Sequence, residues 1–101
     1  MLSPSPTTVY DPPRDARVLD GGGRVVQVSG RGALSGEPIW LALEGVRHRL
    51  VAWAGPWPAD EHWWDPSTAR RRARLQLVAA DGHAWIAVVQ AGVWRVEAAY
   101  D

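Results

Sequence analysis

The chain is 101 residues long, 47% apolar and 22% charged, and its eleven basic and eleven acidic residues leave a formal net charge of zero. That length bounds one small domain with a modest core, and the charge balance excludes binding to nucleic acid or membrane through overall charge, leaving only a local patch. There is no cysteine, which excludes disulfides, thiolate catalysis and cysteine-ligated zinc.

The start, "MLSPSPTTVYDPPRD", has no apolar run of the secretory type, and no stretch of the chain has the length and apolarity of a bilayer span, so a cytoplasmic location is expected. Pro4, Pro6, Pro12 and Pro13 among Ser and Thr make residues 1–14 an expected flexible tether, with residues 15–101 forming a single β domain. Next, "ARVLD" and "RVVQV" flank Gly21 to Gly23, the pattern of a short hairpin. "SGRGALSGEP" is an irregular connection. "IWLALE" and "HRLVAW" flank a tight turn near Gly45. Asp65-Pro66-Ser67 can cap one short helix near residues 66–72, the one helical signal in the chain.

The last third reads as three β-rich runs, "ARLQLVAA", "HAWIAVVQ" and "VWRVEAAY". A two-residue loop at Asp81-Gly82 pairs Leu77 with Ile86 and Leu75 with Val88 on one apolar face. A three-residue loop from Gln90 to Gly92 then pairs Val88 with Trp94 and Ile86 with Val96, placing Trp94, Val96, Ala98 and Tyr100 inward and Arg95 and Glu97 outward. The expected fold is all-β, a meander of about six or seven strands rolled into a small barrel or sandwich. Seven tryptophans and no phenylalanine imply that tryptophan fills the core, with at least four of them buried or half-buried.

Candidate chemistry concentrates in "AGPWPADEHWWDPSTARRRARL". His48, His62 and His83 lie in separate segments without metal-ligand spacing. Asp60, Glu61 and Asp65 read as the acids of a capped loop that neutralise the arginines after it, and "LDGGGR" lacks the following helix of a phosphate loop. No catalytic set, metal, cofactor or small-molecule substrate is therefore expected. Arg70, Arg71, Arg72 and Arg74 beside Trp57, Trp63 and Trp64 have the composition of a single-strand platform, in which aromatic rings stack on bases and guanidinium groups meet phosphates. On a strand, Arg72 and Arg74 alternate away from Ala73 and Leu75 and form one solvated stripe.

The ordered set Gly55-Pro56, Trp63-Trp64-Asp65, "RRRARLQLVAADGHAWIAVV" and "GVWRVEAAYD" resembles the C-terminal region of actinobacterial ImuB, the polymerase-like protein of the SOS mutasome. "TVYDPPRDARVLDGGGRVVQVSGRGALS" is similar to the segment that joins the polymerase-like body to that tail. The resemblance implies a non-catalytic interaction module of translesion synthesis and damage-induced mutagenesis, cytoplasmic and nucleoid-associated. Its implied partners are a RecA-like accessory protein and an error-prone C-family DNA polymerase. On that reading Trp57, Trp63, Trp64 and Asp65 form a protein interface and Gly55-Pro56 turns the chain. No polymerase carboxylate maps onto the sequence, and Gln76-Leu77-Val78 lacks the aromatic ending of a clamp-binding peptide. The second reading is a single-stranded DNA-binding barrel that uses the stripe from Arg70 to Arg74 and an exposed tryptophan.

Overall fold

The structure is a computed structural model, which describes residues 7–29, 32–58 and 72–100. Six strands, β1 (Thr8–Leu19), β2 (Trp40–Leu43), β3 (Val46–Pro58), β4 (Arg72–Ala79), β5 (Ala84–Gln90) and β6 (Val93–Tyr100), pair antiparallel in chain order. β6 returns to pair with β1, which closes the barrel. Closure removes the two sheet edges that an open meander would leave unpaired. There is no helix among the described residues, and the expected helix over 66–72 falls outside them except for Arg72, which opens β4.

The expected tether is corrected over residues 8–14. Thr8 pairs with Ala99, Val9 with Ala98 and Arg14 with Val96, with a register shift between Val9 and Arg14. Pro12 and Pro13 fall within that shift, where the pairing with β6 is interrupted and a missing amide hydrogen forfeits no ladder bond. Tyr10 packs against the core, so this stretch belongs to the domain.

The β2–β3 turn matches expectation. Leu43 pairs with Val46, and Glu44 and Gly45 both take positive φ, 51° and 80°, as a type I′ turn requires. The reversal at Gly21 to Gly23 is held by Asp20, whose carboxylate accepts from the amides of Gly22 and Arg24, both at 2.9 Å. Beyond it only isolated bridges form, Leu19 with Val25 and Val28 with Leu34, yet Val26 is fully buried and Val25, Val28 and Leu34 pack on the core.

Two hairpin registers differ from expectation. The β4–β5 loop has three residues, Ala80 to Gly82: the Ala79 amide donates to the His83 carbonyl at 2.8 Å, and only Gly82 is left-handed, at φ 92°. This is a turn closed by a glycine bulge. The Asp81 carboxylate also accepts from the His83 amide at 3.0 Å, which favours the longer loop. Leu77 therefore pairs with Trp85 and Leu75 with Ala87. Trp85, Ala87 and Val89 join Leu75, Leu77 and Ala79 in the core, and Ile86 and Val88 face outward. The β5–β6 loop has two residues, Ala91 and Gly92, left-handed at φ 51° and 78°. Val89 pairs with Trp94 and Val88 with Arg95. The two one-residue changes cancel, so Trp94 and Val96 point inward as expected. The register then shifts between Ile86 and Ala87, leaving Glu97 without a direct partner. Past that bulge Ala98 is buried as expected although it pairs with Ile86, Ala99 also packs against the core cluster, and Tyr100, half-buried, pairs with Ala84.

Among the described residues the core contains no buried polar or charged residue. Four of the five described tryptophans, Trp40, Trp53, Trp85 and Trp94, are buried or half-buried. The Trp94 indole donates to the Val26 carbonyl at 2.9 Å, tying the irregular segment to the barrel interior.

Candidate functional site

Of the residues expected at the interface, Trp57 is described; Trp63, Trp64 and Asp65 lie outside the described residues, as do Arg70 and Arg71 of the basic stripe. Gly55-Pro56 does not turn the chain. It forms a bulge inside β3, where pairing with β4 skips from Ala54–Gln76 to Trp57–Arg74. Gly55 sits at φ 107°, and a Cβ there would lie 2.9 Å from the Arg74 carbonyl oxygen. The position therefore requires glycine on both conformational and steric grounds. The bulge sets Trp57, 47% exposed, directly opposite Arg74 on the outer surface.

The outer rows of β3 to β6 follow from the register. One runs Trp57, Arg74, Val88, Arg95 and on to Asp15 of β1; the next runs Ala54, Gln76 and Ile86 and ends at the buried Ala98. Arg74 does not stand free. Its Nε lies 2.7 Å and its Nη2 3.4 Å from the two Glu97 oxygens, a two-pronged contact across the intervening strand. The hydrogen bond to Glu97 raises the Arg74 pKa; partial burial opposes the shift, and the Glu97 charge adds to it. Arg95 Nε is 3.4 Å from Asp15. Arg72 is exposed opposite Gln90. This face thus mixes apolar side chains with charges of which Arg74 and Arg95 are paired, and Trp57 is the largest exposed apolar side chain on it among the described residues.

Of the three histidines, His62 lies outside the described residues, and His48 and His83 flank one indole. His48 packs its ring on Trp85 at 4.7 Å between centroids, and His83 lies 6.3 Å from the same indole. His83 Nδ1 is 2.9 Å from Asp81 Oδ2. The His83 backbone amide, then its side chain, hold the Asp81 carboxyl below its ordinary pKa, so the pair organises the β4–β5 turn. Among the described residues no three His, Asp or Glu side chains come together as a metal site, and no helix is long and apolar enough to cross a membrane.

A second cluster was not anticipated. Leu41 and Leu43 are buried, so Trp40 and Ala42 face outward on β2. Ala42 pairs with Arg17 on one side and Arg47 on the other, and Trp40 pairs with Arg49. The Arg49 guanidinium lies 5.4 Å from the Trp40 ring centroid. The signal for Arg47 and Arg49 was present in "VRHRL": period-two alternation puts both on one face, and the turn at Gly45 sets Ala42 and Trp40 beside them. Arg17 carried no such signal, because only the β1–β2 register brings it there. No family model, curated protein or solved structure matches the chain.

Proposed function

We propose that this barrel is a non-catalytic protein-interaction module of the translesion-synthesis and damage-induced mutagenesis machinery, whose interface is the outer face of β3 to β6 centred on Trp57. The observation that carries this reading is charge pairing: Arg74 is held by Glu97 and Arg95 by Asp15, around an exposed tryptophan and outward Ile86 and Val88. A surface on which two of the guanidinium groups are already paired with carboxylates suits a protein partner. Interface energy concentrates in tryptophan, tyrosine and arginine set among apolar neighbours that exclude water. The sequence resemblance supplies the class of partner, a RecA-like accessory protein and an error-prone C-family polymerase, and with it a cytoplasmic, nucleoid-associated location.

The same pairing weighs against the stripe from Arg70 to Arg74 as a single-strand track, because Arg74 would have to leave Glu97 to reach a phosphate. The test is a binding measurement against the two proteins with Trp57→Ala, alongside Val51→Ala as an exposed apolar control from another part of β3. Trp57→Ala is expected to keep the circular dichroism spectrum and weaken binding at least about tenfold, the effect of losing a hot-spot side chain. Unchanged affinity for both partners in a folded Trp57→Ala variant would remove this face from consideration.

A further inference from the structure

The outer surface of β1, β2 and β3 has the opposite electrostatic character. Arg17, Arg47 and Arg49 are all exposed there. Among the described residues no carboxylate pairs with any of them. The acids nearest in register are engaged elsewhere: Asp15 with Arg95 at 3.4 Å, and Glu44 with Arg14 at 3.7 Å. Asp20 is occupied by the amides of its own turn. Three guanidinium groups with no carboxylate partner among the described residues thus lie beside a partly exposed indole in a protein whose net charge is zero. They are held on paired strands, so their spacing is set by the sheet. Arg17 and Arg47 are two strands apart, about 9–10 Å, and Arg49 follows Arg47 two residues along, about 7 Å.

We infer that this face binds the backbone of a single-stranded nucleic acid, with Arg17, Arg47 and Arg49 contacting successive phosphates and Trp40 receiving a base. The array is too spread for one small anion, and it matches a repeating one. The partly exposed indole with a guanidinium beside it supplies what a carboxylate chain would not use, a planar surface for stacking. The arginines are outside the stretch "STARRRARL" that composition singles out, and the site is separate from the Trp57 face, so it stands whether or not that face binds protein.

The experiment is fluorescence anisotropy of a labelled oligothymidylate, titrated with the full chain at low salt and then at rising salt. The wild-type protein is expected to bind, with the logarithm of the affinity falling linearly with the logarithm of salt. The Arg17→Gln/Arg47→Gln/Arg49→Gln variant should bind at least about tenfold more weakly at low salt, and its salt slope should be shallower by about 2, from about 0.7 per phosphate contact on single strands. Trp40→Leu should weaken binding with little change of slope, because it removes stacking and leaves the charges. Arg95→Gln, whose guanidinium faces Asp15, should bind as wild type. Circular dichroism and thermal unfolding of each variant separate lost binding from lost fold, and the single substitutions Arg17→Gln and Arg47→Gln provide folded intermediates if the triple variant is unstable. Absence of wild-type binding overturns the inference, as does a folded triple variant with wild-type affinity and slope. Displacement of the oligonucleotide by polyglutamate as effectively as by unlabelled oligothymidylate would also overturn it, in favour of an acidic polypeptide ligand.

Discussion

Trp94 shows how much one side chain can carry in a domain of this size. It is 1% exposed, and its indole holds the Val26 carbonyl from the irregular segment. Truncation to alanine at such a site removes both packing and the bond and typically costs about 3–5 kcal/mol. That is a large share of the roughly 5–15 kcal/mol expected for a whole domain. Trp94→Ala is therefore expected to unfold or nearly unfold the protein in chemical denaturation, whereas the neighbouring Arg95→Ala, on the surface, should shift stability by less than about 1 kcal/mol. Asp81 gives a residue-scale pH signature. Its pKa is lowered in the fold by the His83 amide and side chain. A depressed carboxyl pKa contributes stability that is present above the unfolded value and lost as pH falls through the folded one. The difference in melting temperature between wild type and Asp81→Asn should accordingly shrink as the pH drops below the ordinary value of 3.8. A difference that instead grew below that pH would contradict the assigned direction.

The strand is the level at which register is tested. Val88 and Val89 are adjacent, chemically identical and oppositely placed: Val89 is in the core beside Trp94, and Val88 sits on the outer row with Arg74 and Arg95. Val89→Thr buries a hydroxyl and is expected to cost about 1–3 kcal/mol, whereas Val88→Thr should stay within about 0.5 kcal/mol. Urea denaturation of the pair decides the face of β5, and the reverse order would restore the two-residue loop at Asp81-Gly82. The loop lengths explain why β5 presents the opposite face from the one its Asp-Gly signal predicts. Asp-Gly is a strong signal for a two-residue turn, but Asp81 accepts the His83 amide and only Gly82 is left-handed, so the turn lengthens by one residue. Ala91 is a poor left-handed residue by local preference, yet the structure places it there at φ 51°. Keeping both Val89 and Trp94 in the core outweighs a local conformational cost of about 1–2 kcal/mol.

At the scale of the whole molecule, stability depends on the seam between the first and last strands. The Thr7 amide donates to the Ala99 carbonyl at 2.9 Å, Thr8 and Val9 pair with Ala99 and Ala98, and Tyr10 packs against the core. Removing residues 1–14 opens half of that seam and exposes the β6 edge. The truncated chain is expected to show a much lower denaturation midpoint, or no cooperative transition, in contrast to the unchanged midpoint that a dispensable tether would leave. The barrel also separates two outer surfaces, one with paired charges around Trp57 and one with arginines around Trp40 that have no carboxylate partner among the described residues, and each can be disabled by substitution without touching the core.

Composition, alternation and the Gly45 turn by themselves determined the all-β class, the β2–β3 hairpin, the three C-terminal strands and the inward set Leu75, Leu77, Trp94 and Val96. These properties are local: period-two burial and the demand for positive φ are readable in a few residues. Tertiary structure alone decided the rest. The Pro-rich start became β1 because β6 offered it an edge to pair with, and Gly55-Pro56 became a bulge because Arg74 and Leu75 of β4 approach its backbone. Arg74 was removed from the open basic stripe by Glu97, which lies 23 residues away in the chain, and Arg17 was brought beside Arg47 by strand order. Pairing across a closed barrel depends on which strands meet and in what register, and a one-residue slip moves every side chain to the other face, so no short stretch of sequence contains that information.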